Sequence, residues 1–175
     1  HYEIAIAAIF ARLGCKINFL DDGNKEDLLT PHCEFIATHK ETGVSLAVEV
    51  KSRHKPGVKN MEGSSSQEVL SKGNIEGLYK KALAKNPKNQ PFIIFIDVNC
   101  PPTPNIPMME KTWFKDIKQM MAKYPIPTNE KPEEYTAVFF TNFSSHYNKE
   151  TIADSSEFLA VIPVFAKHPM PSQAF

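Results

Sequence analysis

The stretch "PFIIFIDVN" (91–99) constrains the fold of this chain most. Apolar residues run through it without the polar alternation of a half-wet strand, which is the pattern of a strand buried on both faces. A strand of that kind needs a layer of structure on each side, and helices are the usual cover. The rest of the chain supplies them. "HYEIAIAAIFARLG" reads as a helix ended by Gly14, and it is apolar on nearly every side, so full burial is expected. "NIEGLYKKALAKN" is a second helix, stopped before Pro87, and "MMEKTWFKDIKQMMAKY" an amphipathic third. Strands are expected at "CKINFL" (15–20), "CEFIATH" (33–39), "VSLAVEVK" (44–51), "YTAVFFTNF" and "EFLAVIPVF", the last two core-bound. The order is helix, three strands, helix, strand, then helix and two strands. That alternation predicts an α/β fold with a mixed central sheet flanked by helices. With 175 residues, 42% of them hydrophobic, the chain is long enough to bury one sizeable core. A single domain over 1–175 is expected, with 1–99 as its core and 100–175 as an extension of the same domain. The Pro-rich "CPPTPNIP" is a stiff connection within it.

Against this apolar background, "LAVEVKSR" (46–53) is anomalous, because Glu49 and Lys51 interrupt an otherwise buried strand. The preceding hairpin gives the interruption a partner. If the turn is made by Lys40–Gly43, or by Glu41–Thr42 alone, His39 faces Val44 and Glu34 faces Glu49. Opposed residues of an antiparallel pair point to one face, with Cβ atoms roughly 4.5–5.5 Å apart. The two-residue period puts Lys51 on that face as well. Two carboxylates so placed oppose folding unless a proton or a cation neutralises them. Magnesium typically takes one or two carboxylates, completing its shell with waters and phosphate oxygens. The lysine beside them supplies a point charge for a phosphate or an attacking water. Together these parts make a site for phosphodiester hydrolysis. Glu3, on the first helix beside Ile6, Ala7 and Phe10, has two readings of equal weight: a third acid of the site, or a first-turn acid that favours the helix dipole and stays wet.

In these motifs the chain resembles the PD-(D/E)xK, or restriction-endonuclease-like, nuclease superfamily. "CEFIA" and, 15 residues later, "VEVKSR" carry the motif. The superfamily's helix–strand–strand–strand–helix–strand core is similar to the order read over 1–99. The resemblance implies an αβββαβ core followed by a C-terminal helix and two further strands. It implies that Glu49 is the acidic metal ligand, Lys51 the motif lysine, and the Val50 carbonyl a further ligand. Glu34 stands where the superfamily carries aspartate, and Glu3 where some members carry a helix glutamate. Magnesium, or manganese, is the implied cofactor. Two departures accompany the likeness. Glu34 replaces the usual proline–aspartate pair and follows Cys33. Ile75, four residues before Tyr79, stands where one subgroup has glutamine.

Just past the acids, "KSRHKPGVK" places Arg53, His54, Lys55 and Lys59 where they are expected to hold a nucleic-acid backbone; a solvated charged loop is the alternative. Twenty basic and 20 acidic residues exclude a chain that coats itself with positive charge, and point to help from a second copy or a partner subunit. Cys33 and His39 are expected on the face away from Glu34. Asp97 and Asn99 are read as structural or supporting groups, and Trp113 and Tyr79 as packing. Three widely spaced cysteines, without a membrane-length apolar run or a signal-peptide pattern, predict a reduced cytoplasmic protein. The expected function is metal-dependent cleavage of nucleic acid, DNA before RNA. Two alternatives stay open: a nuclease-like fold without chemistry that serves as a binding or assembly module, and a plain buried ion-pair cluster around Lys51 and Arg53.

Overall fold

The computed structural model describes residues 2–20, 32–53, 75–100, 103, 105–143 and 157–172. They form an α/β fold around one six-stranded sheet. Helix α1 (Tyr2–Arg12) leads into β1 (Cys15–Phe19), β2 (Phe35–His39) and β3 (Ser45–Ser52). Helix α2 (Ile75–Leu83) leads into β4 (Phe92–Asp97), and α3 (Thr112–Met121) into β5 (Ala137–Asn142) and β6 (Glu157–Val161). Every strand lies beside its neighbours in sequence, in the order β1-β2-β3-β4-β5-β6. The first three strands are antiparallel, β3, β4 and β5 are parallel, and β6 returns antiparallel to β5. Strands from 1–99 and from the C-terminal part thus share one sheet.

The parallel steps explain where the helices sit. A parallel pair needs a crossover, and crossovers are right-handed. Two of them advancing in the same direction along a sheet fall on the same face. α2 and α3 accordingly pack together on one face, through Ile75, Tyr79 and Ala82 and through Trp113, Ile117 and Met120. Both sets follow the i, i+4, i+7 spacing of a single helical stripe. The opposite face is covered by α1, whose Tyr2, Ile6, Ala7 and Phe10 pack on Phe35, Ala37, Leu46, Val48, Val50 and Ile93. Alternation along the central strands is strict. In β4, Ile93 faces α1, while Ile94 and Ile96 face α2 and α3.

The β2–β3 hairpin closes as the turn chemistry predicted. His39 N donates to the Val44 carbonyl, Gly43 N donates to the His39 carbonyl, and Gly43 takes a φ of +71°. The register is Phe35 opposite Val48 and Ile36 opposite Ala47.

Two expectations about burial are corrected. α1 is buried on one side only: Ile4 and Leu13 are 66% and 48% exposed, because α1 is an outer layer and a helix against one sheet face buries one stripe. β6 is core-bound on one side only, with Leu159 and Val161 packed against the core and Phe158 64% exposed. It pairs with β5 alone, at the edge of the sheet. No helix among the described residues is long and apolar enough to cross a membrane.

Candidate functional site

β3 presents two chemically different sides. Leu46, Val48 and Val50 enter the α1 layer, so Ala47, Glu49 and Lys51 point toward α2. Glu49 sits in the middle of the sheet, between β2 and β4, and is fully buried. Burial raises its carboxyl above the ordinary carboxylate range. The Lys51 and Lys85 ammonium groups work against that shift, and the negative charge of Glu34 adds to it.

Glu34 lies just before β2, one step beyond the Phe35–Val48 pair, where the β2–β3 ladder ends. Its carbonyl accepts a hydrogen bond from Leu20 N, tying the position to the end of β1 as well. Ile36, two residues on, packs into the α2 layer. The register observed over Phe35–Thr38 is the one that the turn length predicted, and the Glu34 charge is felt at Glu49. The chain bends at Glu34, which breaks the alternation and corrects the expectation for Cys33. Instead of facing away, Cys33 packs in the α2-side core with Ala47 and Tyr79. Burial pushes its thiol up to about 11, and the nearby Glu49 charge contributes. His39 bonds Thr42 within the hairpin turn.

Lys51 turns back onto its own strand. Its Nζ forms an ion pair with Glu49 Oε1 and lies 3.4 Å from the Val50 carbonyl oxygen. Those are two of the atoms that the resemblance assigns to a metal. Lys85, just beyond the end of α2, brings a second ammonium to 3.8 Å from Glu49 Oε1. Among the described residues, Glu49 Oε2 is buried with no hydrogen-bond partner or ion pair, and Oε1 is held by its ion pairs alone. A buried carboxylate oxygen without a donor carries a desolvation cost of about 1–3 kcal/mol or more. Natural structures complete most such atoms with an ordered water, an ion or a ligand.

Two sequence expectations are corrected here. Glu3 is exposed in the first turn of α1, the helix on the other side of the sheet, and joins neither Glu34 nor Glu49. Its wet, dipole-favouring reading is the one observed. Arg53 is buried rather than offered to a phosphate backbone. The parallel β3–β4 ladder runs as far as Ser52 and Asp97 and draws Arg53 inward after them. There Nη1 lies 3.4 Å from the Val98 carbonyl and 3.8 Å from Cys100 Sγ. The Arg53 carbonyl accepts from Asn99 Nδ2 at 2.8 Å. His54, Lys55 and Lys59 lie outside the described residues.

Lys85 was missed by sequence reasoning. Its one local signal is its position three residues past buried Ala82, next to the packing stripe of α2. A second polar group, also unanticipated as a unit, gathers at the ends of β4 and β5. Asp97 Oδ1 accepts from Thr141 Oγ1 at 3.3 Å and from Phe143 N at 3.1 Å. Tyr2 OH lies 2.6 Å from Thr141 Oγ1, and burial drives its phenol well above the ordinary range. This network joins α1 to the sheet, which gives Asp97 and Asn99 structural work.

Glu34, Glu49 and the Val50 carbonyl suit a hard divalent cation that retains several waters. Among the described residues, no group of three or more His, Cys, Asp or Glu side chains converges on one point, so any ion here relies on two carboxylates, backbone and solvent. The chain matches no known protein-family model, no curated protein and no solved structure.

Proposed function

We propose that this chain is a magnesium- or manganese-dependent nuclease domain of the restriction-endonuclease-like type, hydrolysing phosphodiester bonds, DNA before RNA. The observation that carries the reading is a fully buried Glu49, ion-paired with Lys51 two residues on, with Oε2 unpartnered among the described residues and the Glu34 charge close by. The order α1-β1-β2-β3-α2-β4 supports it, since it follows the core that the motif's resemblance implies. Glu34, Glu49 and the Val50 carbonyl would hold the ion. A bound magnesium polarises a phosphoryl oxygen and lowers the pKa of its water toward neutrality. Lys51 would orient the attacking water or stabilise charge gathering at phosphorus, and Lys85 would add a second positive charge to the same pocket. Three buried cysteines free of disulfides are in keeping with a reducing, cytoplasmic setting. The balanced net charge favours a second copy or a partner subunit in gripping nucleic acid.

The test is cleavage of single- and double-stranded substrates with magnesium or manganese. Glu49→Gln and Lys51→Ala should each lower the rate by about 10²-fold or more. Equal rates in wild type and both variants would remove the catalytic reading.

One observation favours a second reading, a nuclease-like module without chemistry: Lys51 and Lys85 already supply counter-charge to Glu49. That module would bind nucleic acid equally well with or without divalent ions and cut nothing.

A further inference from the structure

The two oxygens of the Glu49 carboxylate are treated unequally. Oε1 is crowded by the ammonium groups of Lys51 and Lys85, which arrive from different elements. Oε2 has neither a hydrogen bond nor an ion pair among the described residues, so the ion pairs alone set the two oxygens apart. The Val50 carbonyl oxygen beside them is engaged by Lys51 as well, at 3.4 Å. A buried carboxylate demands counter-charge, and here the chain supplies its own.

Lys51 is suited to a removable role. Its side chain is 21% exposed, and a four-carbon stem lets the ammonium swing toward water without disturbing the strand. Lys85 is held less closely, at 3.8 Å.

We infer that the Lys51 ammonium is a tethered cation seated on Glu49 Oε1 and the Val50 carbonyl, and that a divalent ion and this ammonium compete for that one seat. The inference rests on the metal-dependent reading above and adds an order to it. Lys51 must leave both oxygens before an ion is held, and its release is what frees the ammonium for water or a phosphate oxygen. Lys85 stays as the counter-charge that keeps Glu49 company during the exchange. Lys51 therefore weakens metal binding while serving the chemistry, which a simple supporting lysine would not do.

Manganese titration by calorimetry, at fixed pH and ionic strength, separates the outcomes. Wild type, Lys51→Gln, Lys85→Gln and Lys51→Gln/Glu49→Gln are compared after their melting curves show folded protein. Lys51→Gln should bind manganese about tenfold more tightly than wild type, or better, equivalent to about 1.4 kcal/mol. Lys85→Gln should gain less, and the double variant should lose the site. Binding by Lys51→Gln that is equal to or weaker than that of wild type overturns the competition and leaves the nuclease reading standing. Binding by Lys51→Gln alone, with none in wild type, upholds the competition and removes the nuclease reading. Absence of binding in every variant overturns both. A second measurement needs no variant. In wild type with labelled lysines, magnesium should shift the Lys51 side-chain resonance more than that of Lys85, and an unmoved Lys51 signal at saturating magnesium overturns the proposal.

Discussion

The two sides of β3 are built on opposite principles. Toward α1 it offers Leu46, Val48 and Val50 to a dry layer in which Phe35 meets Phe10 edge-on at 5.9 Å. Toward α2 it offers Ala47, Glu49 and Lys51, so a buried charge and its counter-ions occupy the middle of the sheet. Both sides are shielded from water, yet one gains stability from that shielding while the other loses it. Apolar burial contributes roughly 25 cal/mol per Å², whereas a buried ion pair often stabilises less than an apolar pair of the same volume. β3 is thus anchored by its apolar face and carries buried charge on the other.

The sharpest way to break that contrast is to empty the dry side. Phe35→Ala removes a fully buried ring and should cost about 3–5 kcal/mol in urea or guanidinium unfolding. A loss below about 1 kcal/mol would mean that the α1 layer is not the anchor.

The charged side should respond with the opposite sign. Glu49→Gln is expected to be between neutral and about 2 kcal/mol more stable than wild type near pH 7, even as cleavage fails. The pH dependence follows from the raised carboxyl, whose first cause is burial, opposed by Lys51 and Lys85 and reinforced by Glu34. An acid whose folded pKa exceeds its unfolded one favours the protonated fold. Its penalty is absent below the unfolded carboxylate range, grows as pH rises toward the folded value, and levels off above it. Melting curves of wild type and Glu49→Gln should therefore converge in acid and separate toward neutrality. Curves that diverge in acid would reverse the assignment.

The smallest effect is expected where a buried polar group is fully partnered. Tyr2→Phe deletes the 2.6 Å contact with Thr141 and should cost about 1 kcal/mol, measured by the same unfolding curves. No change would place the strand-end network outside the forces that hold α1 to the sheet.

Much of this was legible in the sequence because it depends on short-range geometry. The apolar run at 91–99 announced a strand covered on both faces, and β4 is that strand. The turn chemistry of His39 to Val44 set the hairpin register, and a period of two put Glu49 and Lys51 on the same side of β3. Failures came where a residue's surroundings are chosen by elements distant in the chain. α1 looked apolar all round, but one sheet face covers one stripe of it. Arg53 followed basic neighbours in sequence and read as a phosphate contact, yet the β3–β4 ladder carries it into the core. Lys85 carried no motif, and its approach to Glu49 depends on how the α2 crossover ends.

By itself, the sequence determined the elements, the hairpin register and the placing of an acid and a lysine on one face of β3. All of these follow from turn chemistry and a fixed two-residue period. Tertiary structure alone decided which side of the sheet that face looks toward, that Glu3 lies across the sheet from it, and that Lys85 completes its charge. Those choices depend on the hand and landing point of crossovers, which local periodicity does not encode. The physical outcome is a carboxylate enclosed by its own counter-ions, with one oxygen left over.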